Sequence, residues 1–139
     1  QLLLAKDLQC PVIIHNRESD DDLYEIIINS KHTKGVIHCF ASTLGFAKKI
    51  IKLGYFISFT GLITFVEELK IVVNSTPLDK FLLETDSPYL SPIPKRGKIN
   101  EPANIPIIAN EISKIKKVSV DTIMHQTTKN ALSLFQKIK

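Results

Sequence analysis

Three side chains that can bind a metal ion stand at the ends of strand-like apolar runs. His15, His38 and Asp86 each lie at or near the end of such a run. In barrels and open α/β sheets, the carboxyl ends of the strands face the ligand, and catalytic residues collect there. A lone histidine at a strand end is usually structural, whereas two histidines and an aspartate at equivalent positions favour a site. Imidazole nitrogen and carboxylate oxygen together suit divalent zinc, manganese or magnesium.

Other polar residues surround this predicted site. Glu84 precedes the aspartate by two positions, and it could orient a metal ligand or hold a water. Equally, it could be a buried carboxylate paired with a lysine. Ser42 and Ser58 could bind phosphate oxygens, but ordinary turn or capping roles are more common for such side chains. His32 and His125 have no partners in the pattern, and we expect them to be surface or core histidines.

Basic residues near the same strand ends could neutralise an anionic substrate. Residues 95–98 form a basic loop shortly after the aspartate, and an arginine follows the first histidine by two positions. These tentative substrate-binding residues are Arg17, Lys95, Arg96 and Lys98. A guanidinium clamps phosphate well, but Arg17 could instead pair with Glu18 or Asp20. The loop could equally be a solvated surface turn.

The elements that must position these residues follow a βα pattern. Predicted strands cover residues 10–15, 35–40, 55–61 and 80–86, and their near-continuous apolar runs are typical of parallel strands covered on both faces. The connections have helix length, over residues 18–30, 42–53 and 64–75, which indicates repeated βαβ units. If the last strand reaches Asp86, then Glu84 and Asp86 share one side of it.

The rest of the chain is predicted as a loop followed by two helices. Prolines and a glycine interrupt residues 87–104, so no regular element is expected there. Helices are predicted over about 105–117 and 119–137, with a break near Thr127 and Thr128 as an option. We see no linker, so residues 1–139 are expected to form one structural unit.

Composition excludes several classes of protein. The 139 residues are 44% hydrophobic and 23% charged, as in globular domains, and no apolar run could span a membrane, so no membrane partner is expected. Two cysteines without paired spacing, Cys10 and Cys39, argue against a disulfide framework and favour a reducing, cytoplasmic compartment. The net charge of +4 comes almost wholly from lysines and is weak support for a nucleic-acid partner. Residues 1–9 begin without Met and look like the end of a helix, so we expect the chain to be a fragment.

Three motifs resemble one enzyme family. Residues 11–18 (Pro-Val-Ile-Ile-His-Asn-Arg-Glu), 35–42 (Gly-Val-Ile-His-Cys-Phe-Ala-Ser) and 83–90 (Leu-Glu-Thr-Asp-Ser-Pro-Tyr-Leu) resemble signatures of the TatD-type metal-dependent deoxyribonucleases, in the amidohydrolase-like barrel superfamily. The stretches 58–65, 96–102 and 127–135 match the same family in order, so the resemblance covers essentially the whole chain.

The resemblance implies a fold, a reaction and a set of ligands. The fold would be a (β/α)8 barrel of the TIM type, and the reaction would be hydrolysis of DNA phosphodiester bonds with two divalent cations (Mg, Mn or Zn). His15 and His38 would bind one cation, while Asp86 would bind the other and act catalytically on the attacking water. Lys95, Arg96 and Lys98 would contact the DNA backbone, which is an inference from charge alone.

The resemblance also implies that part of the barrel is missing. Family members begin with a strand that carries a His-x-His pair, and a glutamate on the fourth strand bridges the metals. Neither occurs in this sequence. The four predicted strands would therefore be strands five to eight, and a missing N-terminal half would be needed to complete the barrel.

Two alternatives stay open. Amidohydrolase-like sites support many hydrolyses, so the substrate could be an ester or amide that is not nucleic acid. The chain could also be a truncated remnant without catalytic activity. Whichever holds, the pattern predicts that the side chains of His15, His38 and Asp86 lie at one end of the sheet, and a pair at opposite ends would contradict the metal site.

Overall fold

Four parallel strands form a single sheet in the order β1-β2-β3-β4 in the computed structural model, which describes residues 1–136. The strands are β1 (Val12–His15), β2 (Gly35–His38), β3 (Phe56–Phe59) and β4 (Phe81–Leu83). The helices are α1 (Leu2–Asp7), α2 (Asp20–Ser30), α3 (Leu44–Lys52), α4 (Glu67–Ser75), α5 (Ile105–Lys116) and α6 (Val120–Leu134). Short 3-10 helices cover Gly61–Thr64, Leu78–Lys80 and Pro102–Asn104. The predicted parallel α/β architecture is confirmed.

The helix-facing side of the sheet carries the main core. Strand residues such as Ile37, Ile57 and Phe81 are at most 1% exposed and pack against apolar residues of the helices. Full burial of a side chain of this size contributes about 1.5–3 kcal/mol relative to exposure. The continuous apolar runs of β2 and β3 follow from burial on both faces, whereas Ile13 of β1 is 65% exposed.

The opposite side of the sheet, here called the site face, has an apolar row and a polar row. Val36 and Leu82 are buried there together with Leu134 of α6, and Phe56 packs against them. Two residues further along each strand, the same face turns polar. The side chains of this polar row are His15, His38, Ser58 and Glu84. The apolar row therefore lies next to the polar row, on the side nearer the amino ends of the strands.

Several predicted element ends differ from the structure; β2 and β3, for example, end at His38 and Phe59 rather than at residues 40 and 61. Strand β4 ends at Leu83, and Asp86 has a left-handed backbone with φ of 56°, so strand alternation does not place Asp86 on the same side as Glu84. Helix α6 runs without the optional break through Thr127, whose hydroxyl donates to the Ile123 carbonyl oxygen. The predicted end of this helix at Lys137 lies outside the described residues.

A proline-rich loop follows β4 and packs against the segment after β3, as predicted for residues 87–104 except that Pro102–Asn104 form a 3-10 helix. The Asn100 amide, 3% exposed, donates to the carbonyl oxygens of Thr85 (2.7 Å) and Tyr89 (2.6 Å). Gly61 lies so close beneath the loop that a Cβ there would overlap the Leu90 carbonyl oxygen. The loop that carries Asp86 is therefore held from both sides.

A buried hydrogen-bonded chain ties α1–β1 to β3 at the opposite edge of the sheet. The His32 side chain contacts the Cys10 carbonyl oxygen through Nε2 (2.9 Å) and the Tyr55 hydroxyl through Nδ1 (2.8 Å). A carbonyl oxygen can only accept, so Nε2 donates and Nδ1 accepts from Tyr55. Burial raises the pKa of Tyr55 to about 12, which keeps this hydroxyl protonated. His32 is thus a core residue, one of the two options that the sequence left open.

No helix within residues 1–136 is long and apolar enough to cross a membrane.

The hydrogen bond from Tyr55 to His32 leads to a prediction about stability. Replacing Tyr55 with Phe leaves the buried His32 Nδ1 without its donor, and we expect the free energy of unfolding to fall by about 1–3 kcal/mol. Tyr24→Phe is the matched control, since the Tyr24 hydroxyl makes no hydrogen bond within the described residues. Urea denaturation of both variants measures the difference. Equal stability of the two variants would contradict the proposed tautomer and contact.

Candidate metal centre

His15 and His38 meet at the carboxyl edge of the sheet because they are register partners. They end β1 and β2 and lie side by side in the parallel ladder. The His15 Nδ1 and His38 Nε2 atoms are 2.9 Å apart, with ring centroids separated by 5.1 Å. The structure therefore brings together the two predicted histidines.

The spacing of these two nitrogens fits one divalent cation. Two imidazole nitrogens bound to the same ion at about 2.0–2.1 Å each are about 3 Å apart when they occupy adjacent ligand positions. His15 is exposed and His38 half-buried, so the pair is open to an ion from solvent. Within residues 1–136, no group of three His, Cys, Asp or Glu side chains is assembled for a metal. The two nitrogens are suitable ligands for a cation, which would need further ligands to complete its coordination.

Glu84 lies beside His38. Its Oε2 atom is 3.5 Å from the His38 Nδ1 atom, and its Oε1 atom accepts hydrogen bonds from the Cys39 amide (2.7 Å) and from the Ser58 hydroxyl. The lysine pairing considered from the sequence does not occur, because histidine and hydroxyl groups occupy the carboxylate. The serine's ordinary turn or capping role is likewise wrong, since its hydroxyl binds this carboxylate.

Asp86 lies at the same edge but apart from the histidines. It follows the end of β4 by three residues, and its side chain makes no hydrogen bond or ion pair within the part of the chain described. The loop holds its backbone, since the Asp86 carbonyl oxygen accepts from the Tyr89 amide at 2.9 Å. All three predicted ligands therefore share one edge, and two of them touch.

The charges of Glu84 and Asp86 both act on the Cys39 thiol. Burial raises the pKa of this thiol to about 11, a hydrogen bond with Thr60 partly offsets the rise, and the charges of Asp86 and Glu84 add to it. Asp86 is consequently close enough to this part of the edge to exert a field on it. The thiol stays protonated near neutral pH and is a poor nucleophile.

The four predicted basic residues divide into two groups. Lys95 pairs with Glu101 at 3.5 Å, and the Arg96 guanidinium lies 4.0 Å from the centre of the Phe65 ring. Arg17 and Lys98 are exposed and form no ion pair within residues 1–136. The pairing of Arg17 with Glu18 or Asp20 does not occur, and the Asp20 carboxylate accepts from Asn16 and Ser42 instead.

Arg17 lines a groove of about 1040 Å³ that includes the loops after β1 and β2. Polar residues of its lining are hydrogen-bonded to one another: the Asp20 carboxylate accepts from the Asn16 amide (2.7 Å) and from the Ser42 hydroxyl. These hydrogen bonds join the loops after β1 and β2 and replace the capping role expected for the serine. Sequence inspection missed them, although short polar residues directly after both strands were the available signal. The groove is also rich in carboxylates, contributed by Glu18, Asp20, Asp21, Asp22 and Glu68.

Comparison with known proteins identifies the family of the chain. The model of the family described as TatD related DNase matches residues 1–136. The chain belongs to this TatD family. It is 40% identical over 136 residues to a protein of Escherichia coli K12 named uncharacterized metal-dependent hydrolase YcfH, covering 95% of this chain and 51% of that protein. A Bacillus subtilis protein with the same description, YabD, is 37% identical and is covered to 55%.

Solved structures place the fold within the TatD family as well. YJJV, a TatD homologue from Escherichia coli K12, superposes with a TM-score of 0.92 at 30% identity, over 97% of this chain and 53% of that one. A TatD family hydrolase from Entamoeba histolytica superposes with a TM-score of 0.85 at 26% identity, over 96% and 54% of the two chains. The chain spans about half the length of the TatD relatives it matches.

The raised pKa of Cys39 predicts a slow reaction with alkylating reagents. At pH 8, a thiol with a pKa near 11 is ionised in about one molecule per thousand, so folded Cys39 should react about a hundredfold more slowly than when unfolded in urea. The measurement is the iodoacetamide rate of a Cys10→Ser variant, which leaves only Cys39. Because the pKa is raised on folding, the associated stability is present below pH 9.0 and is lost toward pH 11. Equal rates in buffer and urea would contradict this environment.

Proposed function

We propose that this TatD chain is part of a metal-dependent hydrolase that cleaves DNA phosphodiester bonds with two divalent cations. The observation that carries the proposal is the His15–His38 nitrogen pair, 2.9 Å apart at the carboxyl edge of a parallel sheet and backed by Glu84. Relatives named metal-dependent hydrolases support the use of a metal. DNA as substrate and the number of cations follow from the family resemblance and stand as the proposal.

The proposed roles follow the donor chemistry of each side chain. His15 and His38 would hold one cation through Nδ1 and Nε2, and a carboxylate oxygen of Asp86 would hold the second. When bound, the cations supply Lewis acidity that stabilises charge developing on a phosphoryl oxygen. Asp86 would orient the attacking water and accept its proton at a carboxylate oxygen.

The basic residues would bind the phosphates of the substrate. Arg17 and Lys98 are the better candidates, because neither is engaged in an ion pair within the described chain. Lys95 would have to leave Glu101, and Arg96 would have to leave the Phe65 ring, before contacting a phosphate. We therefore propose primary backbone contacts at Arg17 and Lys98 and supporting contacts at the other two residues.

We further propose that residues 1–139 are one structural unit, the half of a TIM-type barrel with strands five to eight. β1 and β4 each pair with one strand only within residues 1–136, and Ile13 on the site face is 65% exposed. Both features suit a barrel closed by four further strands, since closure removes the unpaired strand edges. The half-length coverage of the relatives supports the same proposal.

A second candidate substrate is an ester or amide outside nucleic acids. The carboxylates lining the groove beside Arg17 favour it, because their negative charge opposes a bound phosphate backbone there. A panel of DNA, carboxylic ester and amide substrates separates the two, and turnover confined to esters or amides would replace DNA as the substrate.

Activity measurements test the half-barrel proposal. DNA cleavage with Mg²⁺ or Mn²⁺ is measured for this chain, for the part of YcfH outside the matched stretch, and for their mixture. We expect cleavage in the mixture and none in either part alone, because a site with few preassembled ligands binds metal weakly. Robust cleavage by this chain alone would contradict the half-barrel proposal. An inactive mixture that binds metal and forms a complex would favour the remnant without catalytic activity.

Asp86→Asn tests the role assigned to the aspartate. In the active mixture, we expect turnover to be abolished while the fold is kept, because an amide is a weaker ligand and cannot accept the proton. Asp79→Asn, an exposed aspartate before β4, is the matched control and should leave the rate unchanged. Normal hydrolysis by the Asp86 variant with normal metal content would remove Asp86 from the mechanism.

A further inference from the structure

We propose that Ser58 is a positioning residue, which acts through Glu84 to preset His38 for a metal ion. The inference rests on the proposed metal site and goes beyond it, because it concerns a buried hydroxyl that does not itself reach the ion. Its basis is a continuous series of contacts across three adjacent strands, from Ser58 on β3 through Glu84 after β4 to His38 on β2.

The series begins with two donors aimed at one carboxylate oxygen. Oε1 of Glu84 accepts from the Ser58 hydroxyl and from the Cys39 amide, the latter at 2.7 Å. Ser58 is only 3% exposed, so water cannot easily replace its hydroxyl. Hydrogen bonds to a charged acceptor are about twice as strong as neutral ones. The two donors therefore fix the orientation of the carboxylate.

The second oxygen of the same carboxylate selects the tautomer of His38. Oε2 is 3.5 Å from His38 Nδ1, and a carboxylate oxygen can only accept. Its negative charge favours the tautomer in which Nδ1 carries the proton, and this leaves the lone pair of Nε2 directed at His15. The tautomer follows from the chemistry of the partner, since hydrogen positions are assigned from the hydrogen-bond network.

This tautomer makes the two histidines unequal. With Nε2 of His38 as the acceptor, the contact of 2.9 Å to His15 requires a proton on His15 Nδ1. A cation between the rings could bind the unprotonated Nε2 of His38 directly. His15, in contrast, must first move its proton from Nδ1 to the other ring nitrogen. The positioning through Ser58 thus acts on one ligand of the pair and not on the other.

Burial of Ser58 argues for this role over simple packing. Its register neighbour on β4 is Leu82, and an alanine or valine would fill the space without an inward hydroxyl. The hydroxyl instead donates to the Glu84 carboxylate and accepts from the Cys39 amide at 3.3 Å. Partners of this kind behind a histidine ligand orient the ring and raise its basicity, and their removal typically lowers metal affinity about 10–100-fold.

The experiment compares two serines on the 139-residue chain. Ser58→Ala removes the hydroxyl from Glu84, and Ser42→Ala is the matched control because Ser42 likewise donates to a carboxylate, that of Asp20, at the same edge. Zn²⁺ affinity is measured by calorimetry, and the tautomer of His38 by nitrogen chemical shifts of the metal-free ring. We expect Ser58→Ala to weaken Zn²⁺ binding about tenfold and to reduce the Nδ1-protonated form of His38. Ser42→Ala should change neither.

The readouts separate this inference from the proposed function. If the parent chain binds no Zn²⁺, the metal site fails, while the ring shifts still show whether Ser58 sets the tautomer. An unchanged tautomer in a folded Ser58→Ala variant would overturn the inference. Should that variant not fold, Glu84→Gln tests the same step, because its neutral amide loses the charge that favours the Nδ1 proton. Full retention of that tautomer in Glu84→Gln would also overturn the proposal.

Discussion

The register of β1 against β2 is the constraint on which the candidate site depends. Parallel pairing sets Val12 opposite Gly35, and three residues later the same ladder sets His15 opposite His38. A slip of one residue would turn one histidine toward the helices and the other toward the site face. Packing of Val12 and Ile14 of β1 and of Ile37 of β2 on the helix-facing side excludes that slip, because the strand that turned over would lose this packing. The core thus fixes the nitrogen pair without touching it.

The proposed ligands at the strand ends are positioned partly by regular and partly by irregular structure. Strand geometry positions the histidines and the serine behind them, while a loop clamped by Asn100 positions Asp86. A ligand held by a strand is placed by the whole sheet, whereas a ligand held by a loop depends on a few hydrogen bonds. Loss of the Asn100 amide should therefore displace Asp86 and leave the two histidines paired.

Much of this arrangement could be predicted from the sequence, and the failures have physical causes. The apolar runs located every strand, and the shared strand-end position of the histidines located the nitrogen pair. Alternation failed at Asp86 because its left-handed backbone ends the period of two. The partners of Glu84 could not be predicted, since they come from Ser58 and from the Cys39 amide on other strands. Tertiary hydrogen bonds of this kind leave no periodic signal in one sequence.

The central claim is that a divalent cation binds between His15 Nδ1 and His38 Nε2. Anomalous diffraction from crystals of the chain grown with Zn²⁺ or Mn²⁺ tests this most directly, because it locates the metal without reference to activity. The account predicts a peak within about 2.0–2.3 Å of both nitrogens, in place of the present contact of 2.9 Å. A fully occupied metal elsewhere in the chain, with the two histidines still hydrogen-bonded to each other, would contradict the account.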